Sequence, residues 1–370
     1  MANPLCALSV EGFRSIRDQR VELHDINVLI GANGAGKSNL LSAIQLLARI
    51  AAEGLAAFVG RSGGANELLF MGARRTPIMR LGAELRLPTG GCAYRATLAH
   101  AAGGALIFTD EEVGDRVAAD AAFSWTSLGS GHKESRLRLA AMDGDATAKT
   151  IRSHLQRMDR YHFDDTTTDA PIRGLVRIND DRHLRADAGN LAAWLYRVAQ
   201  SDAPRFARIE GTIRQLAPYF GGFALAPARA NPEFIALEWQ DRGSDHVFPP
   251  TALSDGTLRS MALIAALLQP PDEMPLLAAI DEPELGLHPF AMELVASLMQ
   301  AATERTQFVL STQWTRLIEC FDPADIVIAD RHEGASVFHR LDPAALADWL
   351  AEYSVSELWE KNIIGGGPAA

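Results

Sequence analysis

The stretch Gly31-Ala-Asn-Gly-Ala-Gly-Lys-Ser38 matches G-x-x-x-x-G-K-[ST], the pattern of a phosphate-binding loop. The apolar segment Ile26 to Ile30 precedes it and predicts a buried strand, and residues 39–50 follow with apolar side chains at helical spacing. A strand, a loop and a helix in this order are the context that the pattern requires. Backbone N–H groups of the loop and the start of the helix attract anionic oxygens. Lys37 is therefore expected to reach the outer phosphates of a nucleotide, and Ser38 to bind Mg²⁺.

A second apolar strand, Leu276 to Ile280, ends in the acid pair Asp281-Glu282. A strand that delivers an acid at its carboxyl end can place it beside the metal of a phosphate loop. We expect Asp281 to hold the metal through water and Glu282 to act as general base on the attacking water. The alternative is a surface acid pair at the end of a strand.

Two weaker motifs accompany the acid pair. Ser254-Asp-Gly-Thr257 precedes an apolar helix, whose first N–H groups make an anion site, although Ser and Asp are also ordinary helix caps. Phe308-Val-Leu-Ser-Thr-Gln313 places Gln313 just after a strand, where its amide can donate to a γ-phosphate. A strand that simply ends in a polar residue is the alternative for Gln313.

Composition limits the compartment and the class of partner. The 370 residues carry a formal net charge of −11 with 48% hydrophobic residues, which suits a globular protein and not a general nucleic-acid coat. Three widely spaced cysteines argue against a disulfide framework and for a reducing compartment. Neither a signal peptide nor an apolar run long enough to cross a bilayer is evident. We expect a cytoplasmic protein without a membrane partner.

The distribution of strands and helices predicts an α/β fold with a mixed sheet, split by an α+β insertion. We expect an N-terminal lobe over residues 1–53 and a C-terminal lobe over 228–345. The insertion would span 54–227, with antiparallel strands followed by helices, and a helix and tail would occupy 346–370.

Taken together, these motifs resemble the ATP-binding-cassette (ABC) type of P-loop ATPase, in its RecF and structural-maintenance-of-chromosomes (SMC) branch. More specifically they resemble bacterial predicted AAA-family ATPases of about this length. The resemblance covers nearly the whole chain. It is carried, besides the loop, by Gly12-Phe-Arg-Ser15, Tyr161-His-Phe163, Leu191-Ala-Ala-Trp-Leu195, Leu253 to Arg259, Asp281 to Pro289 and Ser356-Glu-Leu-Trp-Glu-Lys-Asn362.

The resemblance implies an ATP-hydrolysing, Mg²⁺-dependent dimer. In this dimer each ATP lies between the phosphate loop of one copy and the signature motif of the other, here Ser254 to Thr257. It implies that Arg14 reaches the nucleotide of its own copy. It also implies that Gln313 takes the switch position, where most ABC ATPases have His. A neutral amide there predicts slow turnover. The implied catalytic residues are Glu282 and Gln313, and the implied metal ligands are Ser38 and Asp281. The implied nucleotide contacts are Arg14, Asn33, Gly34, Ala35, Gly36, Lys37, Ser38, Asn39, Ser254, Asp255, Gly256 and Thr257.

The sequence departs from the family pattern at two positions. Trp314 stands where a small residue is expected after Gln313, and Gly367 stands where Arg is common. These departures leave the switch geometry and the role of the tail open. The glutamine of the usual Q-loop has no identifiable counterpart, and Tyr161-His-Phe-Asp-Asp165 is compatible with a nucleotide contact or with a dimer contact.

The composition of the insertion indicates which kind of partner the protein has. The insertion lacks the heptads of an arm that would span DNA, and its arginines between Arg152 and Arg185 are interleaved with aspartates, which favours a solvated ion-paired face over a nucleic-acid surface. Without a further domain after residue 345, we expect a DNA-acting partner, a nuclease or a toxin, if nucleic acid is cut. DNA repair and anti-phage defence are the contexts that the resemblance suggests. The alternative function is a binding switch that restrains or activates its partner with little turnover.

Overall fold

The computed structural model describes residues 5–367. Within them the strands are β1 (Leu5–Phe13), β2 (Ile16–Glu22), β3 (Ile26–Ile30), β4 (Ile78–Arg86), β5 (Gly91–Ala101), β6 (Ala105–Arg116), β7 (Ser124–Gly129), β8 (Met158–Tyr161), β9 (Val176–Arg177), β10 (Phe220–Phe223), β11 (Phe234–Ile235), β12 (Trp239–Asp241), β13 (Val247–Phe248), β14 (Leu277–Asp281), β15 (Gln307–Thr312), β16 (Ile326–His332) and β17 (Ala335–Arg340). The α-helices are α1 (Lys37–Ala51), α2 (Leu55–Arg61), α3 (Ala65–Leu68), α4 (Leu137–Met142), α5 (Ala146–Leu155), α6 (Leu191–Ser201), α7 (Ala203–Leu216), α8 (Asp255–Leu267), α9 (Pro289–Ala302), α10 (Thr315–Ile318), α11 (Ala347–Leu350) and α12 (Val355–Glu360).

Contacts divide the described residues into two compact units. The first comprises residues 5–160, 275–281 and 303–367, and the second comprises residues 161–274 and 282–302. The lobes and insertion expected from the sequence, with boundaries at residues 53, 227 and 345, stay a prediction.

A mixed sheet in the first unit carries the phosphate loop. Its strand order is β17-β16-β3-β15-β14-β8, with β16, β3, β15 and β14 parallel and β17 antiparallel at the edge. The carboxyl ends of parallel strands lie at one edge of a sheet, which is where ligands bind in α/β folds. The segments that follow β3, β14 and β15 therefore meet at this edge.

The other large sheet of the first unit is antiparallel, with the order β2-β1-β4-β5-β6-β7. Strands β4 to β7 extend a sheet begun by the N-terminal strands, because β4 pairs with β1. Helix α1 contacts β1 of this sheet and β14 and β15 of the mixed sheet. Its apolar side chains are buried on nearly every face, as a helix between two sheets requires. Each buried Leu or Ile side chain of the helix contributes about 1.5–3 kcal/mol.

One carboxylate is buried inside this unit. Glu111 on β6 is fully buried and accepts hydrogen bonds from Tyr94 Oη (2.7 Å), Ser135 Oγ (2.5 Å) and the backbone N–H of Arg136 (2.9 Å). The His132 ring lies 2.8 Å from the same carboxylate through Nε2. Because a buried charge must be paired and hydrogen-bonded, this network fixes the segment before α4 to the sheet.

The second unit is mainly helical. Helices α6 and α7, α7 and α8, and α8 and α9 pack in succession. Trp194 on α6 is fully buried and donates its indole N–H to Glu273 (2.8 Å), which also accepts from Arg197 (2.7 Å). Two small antiparallel sheets, β10-β12-β13 and β11-β9, complete the unit.

The sequence also predicts a Ser201 cap for the helix over residues 203–216, a hairpin of residues 234–239 with 245–248, a Gly-rich loop over residues 60–65 and one helix over residues 344–359. The structure differs from each of these four expectations. Helix α7 is capped by Asp202, whose carboxylate accepts from the Arg205 N–H, while the Ser201 hydroxyl donates to a carbonyl of the preceding helix. Strand β11 pairs with β9, so the expected hairpin keeps only β12 and β13. The long C-terminal helix is two short ones, α11 and α12, and a helix, α2, covers the start of a segment expected to be a loop.

Candidate functional site

The phosphate loop is fixed by close approaches of distant backbone and side chains. A Cβ on Gly31 would lie 2.1 Å from the carbonyl oxygen of Ala329, and one on Gly36 would lie 2.0 Å from Ser336 Oγ. Glycine is the residue that fits at both positions. Gly36 also adopts a φ of 106°, which favours glycine, and it is followed directly by α1. The loop therefore turns sharply from β3 into the helix.

Lys37 points back across the loop. Its ammonium donates to the carbonyl oxygens of Gly31 (2.6 Å) and Ala32 (3.2 Å), and the residue is 5% exposed. A buried ammonium held over a nest of backbone groups is suited to a phosphate oxygen.

Asp281 lies at the end of β14 and contacts the start of α1. Its Oδ1 accepts from Ser38 Oγ at 3.2 Å and also from Ser311 Oγ. Its Oδ2 accepts from Arg160 Nη2 at 2.9 Å. The two sequence-predicted metal ligands, Ser38 and Asp281, are thus in direct contact.

The hydroxyl and carboxylate of this pair fit Mg²⁺, which prefers oxygen ligands. Among residues 5–367 no group of three or more His, Cys, Asp or Glu side chains is arranged to hold a metal. A cation held here would thus take its other ligands from phosphates and water, as Mg²⁺ does in nucleotide sites.

Arg14 lies in the turn between β1 and β2, beside the loop. Its Nη1 donates to Asn39 Oδ1 at 3.4 Å, and Asn39 in turn donates to Ser15 Oγ at 2.7 Å. Ser15 and Ser336 share a hydrogen bond of 2.6 Å. Burial lowers the pKa of Arg14, and the positive charge of Arg160 lowers it further. The two guanidinium charges are therefore close enough to interact.

Gln313 follows β15 and donates from Nε2 to Asn33 Oδ1 at 2.7 Å. The switch-position amide and the exposed part of the phosphate loop are thereby joined. The loop also has a partner near the C-terminus, because the Ala32 N–H donates to the Gly366 carbonyl at 2.8 Å. The sequence predicts a frayed Gly-rich end, but this bond holds Gly366, and residues 368–370 lie outside the described residues.

The remaining predicted residues belong to the second unit. Ser254 caps α8, accepting from the Thr257 N–H at 3.2 Å, and both Ser254 and Asp255 are exposed. Asp255 accepts from Arg173 at 2.8 Å, and this hydrogen bond lowers the pKa of Asp255. A Cβ on Gly256 would lie 2.0 Å from the Gly286 carbonyl oxygen, so glycine is required there too.

Glu282 follows Asp281 with a φ of 45°, a left-handed conformation uncommon for a residue with a side chain. Such backbone conformations cluster at functional sites.

Three groups at the loop were missed by sequence reasoning: Arg160, Ser311 and Gly366. Ser311 lies within the motif of residues 308–313, so its contact with Asp281 could have been predicted. Arg160 was counted only as part of a charged face, because nothing in its local sequence places β8 beside β14. Gly366 meets the loop across more than three hundred residues of chain.

Comparisons with known proteins identify the family of this chain. A profile of the family described as "AAA domain, putative AbiEii toxin, Type IV TA system" matches residues 120–319, more than half of the 370-residue chain. The chain belongs to this AAA family. A profile described as "AAA ATPase domain" matches residues 4–59 of this AAA protein, the part that carries the phosphate loop. No curated protein matches the sequence.

Solved structures similar to this AAA protein are heads of SMC proteins. An Smc head bound to the C-terminal winged-helix domain of ScpA is 17% identical, with a TM-score of 0.59, covering 92% of this chain and 99% of that one. An Smc head from Pyrococcus furiosus, bound to the C-terminal domain of ScpA, is 15% identical with a TM-score of 0.57 and coverages of 94% and 99%. One from Pyrococcus yayanosii is 12% identical with a TM-score of 0.54 and the same coverages.

The expected fold is confirmed: an α/β, ABC-type P-loop domain like that of SMC heads. Family and fold together support a nucleotide-binding ATPase. Within residues 5–367 the structure contains no helix that meets the length and hydropathy needed to cross a bilayer.

Proposed function

We propose that this AAA protein is a slow, Mg²⁺-dependent ATPase that dimerises on ATP. The observation that carries the proposal is the contact of Asp281 with Ser38 at the mouth of the phosphate loop, with the Lys37 ammonium held over the same loop. Together they offer a cation ligand pair and a phosphate-binding ammonium within one unit.

Each residue would have a distinct task. Lys37 would exchange the carbonyls of Gly31 and Ala32 for phosphate oxygens. Glu282 would accept a proton from the attacking water, and Gln313 would exchange Asn33 for a γ-phosphate oxygen. Mg²⁺ held by Ser38 and Asp281 would neutralise charge on the phosphates. Arg14 would add positive charge near the same oxygens.

A control with matched charge tests the role of Glu282. Glu282→Gln should keep ATP bound and accumulate a dimer in light-scattering measurements with ATP and Mg²⁺. Glu293→Gln makes the same charge change on an exposed position of α9 and should behave as wild type. The base assignment is rejected if the two variants hydrolyse ATP equally fast.

A pairing in which each ATP lies between the phosphate loop of one copy and residues 254–257 of the other is supported by the exposed Ser254 and Asp255 at the start of α8. In such a dimer each pocket combines one copy's Lys37 with the other copy's Ser254, so the interface is two-fold symmetric. Lys37→Ala and Ser254→Arg should each abolish hydrolysis. Mixing the two variants should restore it, since half of the dimers would be mixed and each would hold one intact pocket, giving about a quarter of wild-type activity. Activity that stays absent in the mixture, while wild type is active, would contradict the pairing.

A second candidate is a binding switch, in which bound ATP restrains or activates a partner nuclease or toxin with little turnover. It is favoured by the neutral amide of Gln313, tied to Asn33, at the switch position. The name of the family profile, with its putative toxin of a type IV toxin–antitoxin system, points the same way.

Multiple-turnover assays with and without DNA separate the two candidates. Sustained hydrolysis, stimulated by DNA, supports an ATPase acting in DNA repair or anti-phage defence. Tight ATP binding with less than one turnover over the assay supports the switch.

A further inference from the structure

Arg160 is hydrogen-bonded to Asp281, the carboxylate that the proposed function assigns to Mg²⁺. It lies on β8, which borders β14 in the mixed sheet, and its Nη2 donates to Asp281 Oδ2 at 2.9 Å. The two side chains are only 20% and 18% exposed. Since Ser38 and Ser311 donate to the other oxygen, both oxygens of Asp281 are engaged by protein groups.

The same place has more positive charge than this one carboxylate balances. Arg14 and Arg160 each have a buried Nε without a hydrogen-bond partner among the described residues. Burial lowers the pKa of Arg14, and the positive charge of Arg160 lowers it further. Buried donors are nearly always satisfied, and a neighbouring like charge disfavours the charged form of a group. An anion with several acceptor oxygens would supply partners for both of these nitrogens.

We propose that Arg160 senses the terminal phosphate of ATP. Without nucleotide it holds Asp281. With MgATP it turns to the γ-phosphate, and Asp281 is released to serve the cation. The inference rests on the proposed function, because it assumes that ATP binds at this loop.

The chemistry favours a phosphate over other anions. A guanidinium presents a planar fork that matches two phosphate oxygens, and a lysine ammonium would not reproduce it. ADP lacks the phosphate that Arg160 would contact. Arg160 would therefore raise the affinity for ATP over ADP, and only when Asp281 has another partner. The competing explanation is an ion pair that merely joins β8 to β14.

Calorimetry separates the two explanations. Binding of ADP and of the non-hydrolysable β,γ-imido analogue of ATP is measured for wild type, Arg160→Gln and Arg160→Lys, in Mg²⁺ and in EDTA. With Mg²⁺, Arg160→Gln should reduce the preference for the ATP analogue by at least about tenfold, the usual effect of losing a charge-assisted hydrogen bond. Arg160→Lys should recover part of it. In EDTA the three proteins should show the same preference.

A third variant tests the exchange of partners directly. Asp281→Asn removes the charge that holds Arg160, so the preference for the ATP analogue should appear even in EDTA. Arg80→Gln makes the same substitution as Arg160→Gln at an arginine paired with Glu11 in the antiparallel sheet. It is the matched control and should leave the preference for the ATP analogue unchanged both in Mg²⁺ and in EDTA. Thermal unfolding of each variant identifies any that is not folded.

The outcomes distinguish the inference from the proposed function. If wild type binds neither nucleotide, or Lys37→Ala binds both as tightly as wild type, the proposed function fails. If Lys37→Ala loses binding while folded Arg160→Gln keeps the wild-type preference in Mg²⁺, only the role of Arg160 is overturned.

Discussion

Two glycines of the phosphate loop should respond very differently to the same added methyl group. Gly34 has a φ of 80°, and a Cβ added to it would have no atom within 4 Å. Gly36 has a φ of 106°, and its Cβ would lie 2.0 Å from Ser336 Oγ and 2.8 Å from Ser15 Oγ. Gly34→Ala therefore costs only the strain of a left-handed backbone, about 1 kcal/mol. Gly36→Ala adds overpacking of about 1–3 kcal/mol and the loss of the Ser15–Ser336 hydrogen bond, about 1 kcal/mol.

Urea unfolding of the nucleotide-free protein measures this difference, because the comparison does not depend on ATP binding. We expect Gly36→Ala to lose about 3–5 kcal/mol and Gly34→Ala about 1 kcal/mol. Adding Ser336→Gly to Gly36→Ala removes both the Oγ and the Cβ that obstruct the new methyl group. The double variant should thus be more stable than the sum of the single changes predicts. Equal losses at the two glycines, or strict additivity in the double variant, would refute the packing described for the loop.

Three further predictions concern the first unit. Glu111→Ala leaves buried donors such as Tyr94 Oη unsatisfied and should cost about 3–5 kcal/mol in urea unfolding, whereas its neighbour Glu112→Ala should change stability by less than about 0.5 kcal/mol; similar losses would contradict the buried network. Burial, and then the charge of Asp322, raise the pKa of Asp325 from 3.8 to about 6, so the folded state favours the protonated carboxyl and loses stability as pH rises through 6. Asp325→Asn should then stabilise the protein at pH 7 by about 1 kcal/mol, because the full difference between the two pKa values is worth ~3 kcal/mol before solvent screening. The gain should vanish at about pH 3, below both pKa values, and a gain that persists there would exclude this cause. A Cβ on Gly366 would lie 2.8 Å from Ile328 Cγ2, so Gly366→Ala should weaken calorimetric ATP binding, while Gly365→Ala, whose Cβ meets nothing nearer than 3.7 Å, should not; equal affinities would show that the tail does not support the loop.

The sequence was sufficient for the parts of the site that are local. The glycine spacing, the apolar segment before it and the acid pair at the end of a second apolar segment together predicted a strand–loop–helix and its carboxylate. The structure has β3, α1 and β14 there, and Asp281 contacts Ser38. Short-range chemistry of this kind is encoded in consecutive residues.

Groups brought in by strand order were not predictable. Arg160 reaches Asp281 because β8 lies beside β14, and no periodicity specifies which strands become neighbours. The predicted cap residue of α7 was wrong for a local reason. Ser201 and Asp202 are both good caps, but the Ser201 hydroxyl donates to the Arg197 carbonyl, and Asp202 caps the helix. The roles of Glu282, Gln313 and Ser254 to Thr257 rest on the proposed function and its experiments.

The contacts of the phosphate loop also order events during translation. Residues 31–38 leave the ribosome early, but the groups packed against Gly31, Ala32 and Gly36 belong to Ala329, Ser336 and Gly366. A nascent chain therefore holds the loop sequence for most of its synthesis without the groups that shape it. Nucleotide binding should emerge only when the last strands and the tail have been made, and chains terminated before residue 329 should lack it.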